Sequence, residues 1–298
     1  MLTRRHLLAA GAAFAAELAI AGRVLALEDA AGNKLNLPSP PRRIVAINPA
    51  MVETVVAIGA LDRLVGIGGK VSYPEQVRGL PSVGGALGFS VEAVLALDPD
   101  LVVMAVGTDA AAQLTRPLSA MGVPIFLATY SDFASILNYM RRLGDALGLR
   151  DGADRLVARM QGTIAELASK LKDRPRLGVY METGAAGTAA FQTVRAGHYA
   201  DDGIRLAGGR NVFTLAGPRQ VTVEGIADAD PDVIVVLASD PSLKPEDVAG
   251  RPGWTALRAV REKKVAVLPR GFMLIPGPRQ AEAISILARA IHPEAFVP

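Results

Sequence analysis

Cysteine is absent from this 298-residue chain. That excludes disulfides, thiolate metal sites, a cysteine nucleophile and a lipid-modified cysteine anchor. Aromatic residues make up only 5% of the chain, so its cores must be built mainly from Ala, Val, Leu and Ile. There are three histidines, His6, His198 and His292. The first lies in a leader-like segment, and the other two alone cannot supply a three-histidine metal site. No run of basic residues interleaved with aromatics occurs, so nothing points to a nucleic-acid surface. No segment after the first 26 residues is long and apolar enough to span a bilayer.

Familiar catalytic signatures are missing as well. The chain has no Gly-x-Ser-x-Gly elbow and no His-Glu-x-x-His pair. Gly69-Lys70 is followed by Val71, so it completes neither a phosphate cradle nor a dinucleotide fingerprint. The lack of a paired nucleophile and base favours a binder over an enzyme. No resident cofactor is implied. An exported α/β enzyme using Glu182 or Asp109 near strand ends remains the rival class.

The N-terminus reads as an export signal occupying residues 1–26. Thr3-Arg4-Arg5-His6-Leu7-Leu8 precedes a small-residue apolar run, and Val24-Leu25-Ala26 offers small residues for cleavage after Ala26. The arginine pair is similar to a twin-arginine signal. The composition counts 32 basic and 29 acidic residues, and loss of the signal removes Arg4, Arg5, Arg23 and Glu17. The mature chain is therefore close to neutral, and the expected location is the periplasm.

The most informative positive feature is a repeat. Val91-Glu92-Ala93-Val94-Leu95-Ala96-Leu97-Asp98-Pro99-Asp100-Leu101-Val102-Val103 returns as Val223-Glu224-Gly225-Ile226-Ala227-Asp228-Ala229-Asp230-Pro231-Asp232-Val233-Ile234-Val235. Each copy reads as a short helix, a stop and a buried strand. Proline lacks an amide hydrogen and disfavours helix for the residue before it, so the Asp-Pro-Asp ends the helix. A corner suffices to explain those aspartates.

Around the repeats, strand and helix alternate. Arg43–Ile47 is a continuous apolar run of the kind buried on both faces of a parallel sheet. Met51–Ile58 is helical, with Gly59 at its C-cap. Strands follow at 64–67, 101–106 and 124–128. Residues 27–41 read as an extended lead-in. Leu156, Met160, Ile164, Leu167 and Leu171 then form one apolar stripe, predicting a helix over 151–173 started by Asp151 and stopped before Pro175. A second series follows: strand 176–181, helix 198–207, the repeat, a short helix at 253–260, strand 265–268 and a closing helix at 280–291. The expected domains are 27–150 and 174–298, with the long helix between them. His292 is expected to serve as a cap.

Several segments together carry a resemblance. They are Pro41-Arg42-Arg43-Ile44-Val45, Asn48-Pro49-Ala50-Met51-Val52-Glu53, Leu61-Asp62-Arg63-Leu64-Val65-Gly66 and the two Glu…Asp-Pro-Asp blocks. Gly208-Gly209-Arg210-Asn211-Val212-Phe213, the Trp254 segment and Pro278-Arg279 complete the set. In order and spacing they resemble the helical-backbone class of periplasmic substrate-binding proteins, which serve ABC importers of iron chelates, haem and cobalamin. The resemblance implies an α/β fold of two Rossmann-like lobes with parallel sheets, joined by one long backbone helix. It implies ligand held between the lobes, and a monomer that delivers it to a permease dimer with its ATPase subunits. It also implies that a glutamate on each lobe docks on the permease, and the matching positions are Glu92 and Glu224. Glu53 is a further glutamate of the pattern, here read as a scaffold acid.

By position, ligand contacts are expected from Lys70, Tyr73, Tyr130, Arg195, Arg219, Phe272 and Met273. The cations would grip an anionic chelate, and the aromatics would line an organic one. Ala86 and Lys70 stand where cobalamin binders of the class carry aromatics. A ferric siderophore needs no side-chain ligand to its iron, so it is the favoured cargo. Cobalamin, haem and an oxyanion are the alternatives.

Overall fold

The computed structural model describes residues 25–69, 71–85, 88–105, 111–186, 190–213 and 220–297. The chain divides into two compact units. One holds residues up to Thr129 together with Asn138–Asp154, and the other holds Tyr130–Leu137 together with Arg155–Pro298.

The first unit opens with an antiparallel hairpin, β1 (Leu25–Glu28) and β2 (Lys34–Leu37). The sequence had read this stretch as an extended lead-in. Asp29 decides otherwise: its buried carboxylate accepts from the N–H groups of Ala31 (2.9 Å) and Asn33 (2.8 Å), closing an aspartate-led turn. The same carboxylate accepts from Leu127 N at 3.1 Å, which pins the hairpin to the sheet. Because β1 begins at Leu25, a cut after Ala26 would leave only Leu27 and Glu28 of the strand.

The main sheet follows. β3 (Ile44–Ala46), α1 (Pro49–Ile58), β4 (Leu64–Ile67), α2 (Val91–Leu95), β5 (Leu101–Ala105), α3 (Ala111–Ala120) and β6 (Ile125–Ala128) alternate along the chain. The four strands are parallel in the order β4-β3-β5-β6. β3 and β5 are buried at every residue, as their unbroken apolar sequences require. Gly59 ends α1 in the left-handed region at φ 106° and returns its N–H to carbonyls of the last turn. Gly68 follows β4 so closely packed on Ile47 that a β-carbon there would overlap the Ile47 carbonyl oxygen.

Two helices follow, α4 (Phe133–Ala146) and α5 (Arg150–Leu171). The sequence reading places no element at α4. In α5, Leu156, Met160, Leu167 and Leu171 are buried, and Ile164 is half-buried. The helix has 22 residues, about 33 Å at 1.5 Å per residue. Asp151 lies inside its first turn rather than at the cap position, because helical bonding already begins at Arg150.

The second unit carries β7 (Leu177–Ala186), β8 (Ala190–Thr193), α6 (Tyr199–Leu206), β9 (Gly209–Asn211), β10 (Gln220–Val221), α7 (Val223–Ala229), β11 (Val233–Ala238) and α8 (Pro245–Ala249). A 3-10 turn at Trp254–Ala256, α9 (Arg258–Arg261), β12 (Val265–Pro269), α10 (Arg270–Met273), α11 (Gln280–Ile291) and a second 3-10 turn at Pro293–Phe296 complete it. Its sheet runs β10-β8-β7-β11-β12, with β9 also on β7. β9, β7, β11 and β12 are mutually parallel where they pair, whereas β8 is antiparallel to β7 and β10. Residues 184–186 and 190–193 are thus paired strand, although their Gly and Ala content gives little strand signal of its own. Cross-strand pairing overrides that weak local preference.

Tyr180, Phe191 and Trp254 gather in the core of this unit with Ile226 of α7 and Ile234 of β11. His292 caps α11, and its Nε2 lies 3.2 Å from the Gly208 carbonyl oxygen.

Candidate functional site

The repeat folds twice into the same local geometry. Ser90 and Thr222 cap α2 and α7, their hydroxyls accepting from Ala93 N (3.1 Å) and Gly225 N (3.3 Å). Glu92 and Glu224 stand exposed in the first turn of each helix. Each carboxyl is held below the usual glutamate range, first by a backbone N–H and then by the capping hydroxyl.

The Asp-Pro-Asp corners match too. Asp98 and Asp230 both take the left-handed conformation, at φ 45° and 38°. Asp100 accepts from the N–H groups of Arg42 (2.7 Å) and Arg43 (2.9 Å), just before β3. Asp232 accepts from Gly178 N of β7 at 2.6 Å. In both copies the second aspartate ties the corner to the neighbouring strand.

A cavity of about 440 Å³ opens in the second unit beside Thr183 of β7, where β8 and β12 end. Arg195, Arg270, Thr183, Gln192, His198 and Tyr199 are among its walls. Arg270 is the first residue of α10, directly after β12, and its Nε donates to Thr183 O at 2.8 Å. His198 caps α6, with Nδ1 accepting from Ala200 N at 3.2 Å. Its ring lies 4.3 Å from that of Tyr199. Tyr130 meets Tyr199 edge-on at 5.3 Å. Burial pushes both phenols above the usual tyrosine range; for Tyr199 the neighbouring Tyr130 adds to the rise and Arg270 opposes it. The described lining of this cavity contains two guanidiniums and no carboxylate.

An adjoining cavity of about 290 Å³ shares Thr183, Gln192 and Arg270 and adds Glu182, Asp240 and Arg251. Glu182 is only 3% exposed, and Arg251 Nη1 donates to its Oε2 at 2.7 Å. Burial raises the Glu182 carboxyl, and the Arg251 pair restrains that rise. Glu182 is thus an ion-paired acid.

The residues singled out in the sequence fall in different places. Arg195 and Tyr130 come together with Tyr199 and Arg270 at the larger cavity and its edge. In the α10 segment, Arg270 and Leu274 line the cavity. Met273 is buried, and Phe272 carries the Arg279 guanidinium 4.9 Å from its ring. Tyr73 belongs to the first unit and is 49% exposed. Lys70, Ala86, Asp109, Arg219 and the arginine pair of the export signal lie outside the described residues. Glu53 is buried on α1. Arg270 was missed, although its place at the C-terminal end of a parallel strand is where ligand contacts concentrate.

Among the described residues, no group of three or more His, Asp or Glu side chains could hold a metal ion. None of the described helices is long and apolar enough to cross a membrane.

Comparison with known proteins agrees with this arrangement. Residues 44–270 match the family described as periplasmic binding protein. YvrC, an ABC transporter substrate-binding lipoprotein of Bacillus subtilis, is 25% identical over 276 residues, which cover 91% of this chain and 86% of the relative. A cobalamin-binding protein of Halobacterium salinarum is 29% identical over 278 residues, covering 89% of this chain and 73% of the relative. Among solved structures, the periplasmic heme-binding protein RhuT from Roseiflexus sp. RS-1 is 26% identical with a TM-score of 0.72, covering 85% of this chain and all but 1% of its own. The chain therefore belongs to the periplasmic binding protein family, as a substrate-binding component of the kind that serves ABC importers.

Proposed function

We propose that this protein captures an anionic metal chelate, a ferric siderophore, in the periplasm and hands it to a permease dimer without chemical turnover. The observation that carries this reading is the pair Arg195 and Arg270 on one cavity wall whose described lining holds no carboxylate. Guanidiniums bind carboxylate and catecholate oxygens two-pronged, and Thr183 and Gln192 add neutral polar contacts. A siderophore fills the coordination sphere of its iron, so the site need supply only charge and shape.

Haem is the second reading, favoured by Tyr199 and His198 side by side at the same cavity. A tyrosine must lose its proton to ligate iron, and burial holds the Tyr199 phenol above its usual range. Arg270 favours the tyrosinate, as the charge of a bound ferric ion would.

Titration of the purified protein with ferric siderophores of graded charge, haemin and cyanocobalamin separates these readings. Binding of anionic ferric siderophores with retained stoichiometry supports the first. Exclusive binding of haemin, with a charge-transfer band lost in Tyr199→Phe, supports the second. Binding of none of the panel would refute both.

Glu92 and Glu224 are the proposed docking acids. Each projects from a capped first turn, is exposed, and remains ionised well below neutral pH. Two identical carboxylate presentations suit a two-fold symmetric partner bearing basic pockets.

A further inference from the structure

Glu182 and Arg251 form a buried ion pair that the capture of an anionic chelate does not require. Their charged groups stand at the wall of the smaller cavity, which shares Arg270, Thr183 and Gln192 with the cavity that carries Arg195. Arg251 therefore lies beside the space assigned to ligand. Its guanidinium rests 4.7 Å from the Trp254 ring centroid and 5.4 Å from that of Phe191, and its side chain keeps 22% exposure. The two rings flank the guanidinium, and Glu182 accepts its Nη1 hydrogen bond.

A buried ion pair adds little net stability over well-packed apolar residues, because desolvation cancels most of the Coulombic gain. The pair does have an electrostatic consequence. Across the two cavities Arg195, Arg270 and Arg251 face Glu182 and Asp240, which leaves one positive charge in excess, and Glu182 is the carboxylate that cancels Arg251 directly.

We propose that Glu182 is a specificity-determining residue, holding Arg251 neutralised so that the cavity matches chelates of lower negative charge and discriminates against more highly charged anions. This rests on the reading that the Arg195–Arg270 cavity holds the chelate. Removing the glutamate charge leaves one uncompensated positive charge in the cavity wall next to the Arg195–Arg270 cavity, at an effective dielectric between those of water and the interior.

The test uses the full mature protein and two probes, a triply anionic tris-catecholate ferric complex and a cationic tris-hydroxamate ferric complex. Glu182→Gln keeps the size and one hydrogen-bond acceptor for Arg251. It is expected to raise the affinity ratio of anionic to cationic probe by about tenfold. The double variant Glu182→Gln/Arg251→Gln restores the net charge and is expected to return the ratio close to that of the wild type. A far-ultraviolet circular-dichroism melt confirms that each variant is folded, because Trp254 emission itself responds to the loss of Arg251 from its ring. An unchanged ratio in Glu182→Gln, or a double variant that keeps the single variant's ratio, overturns the proposal while leaving the cavity reading intact. Failure of the wild type to bind either probe overturns the cavity reading and this inference with it.

Discussion

Replacing Asp232 with alanine tests whether the Asp-Pro-Asp corner is a mechanical joint. Asp232 accepts from Gly178 N at 2.6 Å and from Arg258 Nη2 at 2.9 Å. The backbone bond is charge-assisted, and losing it strands an N–H near the start of β7, at a cost of roughly 1.5–3 kcal/mol. The Asp232 side chain is 30% exposed. Solvent screens the arginine pair, so the backbone bond carries the loss. The loss is roughly 1.5–3 kcal/mol at neutral pH. In a unit of this size that lowers the melting temperature by about 3–12 °C.

Trp254 is the only tryptophan, is fully buried and belongs to the same unit, so urea unfolding followed by its emission reads the change. The pH dependence has a definite sign. Burial pushes the Asp232 carboxyl up, but the Gly178 N–H and Arg258 together outweigh it and hold the group below its usual 3.8. A depressed acid stabilises the fold above its unfolded pKa, and that contribution fades as pH falls through the folded value. The gap between wild type and variant is therefore full at pH 7 and narrows below about pH 3.8. A variant with wild-type urea midpoint at pH 7, or a gap that widens on acidification, refutes the reasoning.

Alanine at Arg195 or at Arg270 should weaken binding of an anionic ferric siderophore by about tenfold to a hundredfold each, measured by quenching of Trp254; no loss in either variant would remove the cavity from the binding reading. Charge reversal at Glu92 and Glu224 together should abolish uptake in a reconstituted importer while ligand affinity stays within about twofold, and unchanged uptake would dismiss the docking assignment. Alanine at Gly68 sets a β-carbon 1.7 Å from the Ile47 carbonyl oxygen. It should destabilise the first unit by more than about 2 kcal/mol, and a wild-type circular-dichroism melt would show that the backbone yields there.

The parallel strands were legible because burial on both faces leaves an unbroken apolar signature. Arg43–Ile47 contains β3, and the Val233–Ala238 run is β11. Helix α4 was equally available in principle. Ile136, Met140 and Leu143 recur at helical spacing and are all fully buried. Its start signal is equally local: Asp132 accepts from Ser135 N at 2.7 Å, and Ser135 Oγ accepts from Asp132 N at 3.0 Å, a reciprocal cap. The β7–β8 hairpin was hidden for a different reason. Its Gly, Ala and Thr residues have no pattern of their own, and only pairing with each other makes them strands. Glu182 and Arg251 stand 69 residues apart, and no local rule joins them.

The repeat shows where legibility stops. Both copies align their acids, and both place the first aspartate of the corner in the left-handed region. A guanidinium braces each corner, yet the two come from opposite directions along the chain. Arg43 precedes its corner and donates to the carbonyl oxygens of Asp98 (2.8 Å) and Leu97 (2.7 Å). Arg258 follows its corner and donates to the carboxylates of Asp230 (3.0 Å) and Asp232 (2.9 Å). Aligning one repeat on the other pairs the aspartates and leaves the arginines unmatched. What both halves keep is a requirement of the backbone, a turned helix end tied to the next strand. Any cation that reaches that turn can brace it. The same logic separates Glu92 and Glu224 from the cavity residues: capped acids in matched first turns are readable from one sequence, whereas Arg270 and Arg251 acquire their roles from strands and rings that the linear chain does not place beside them.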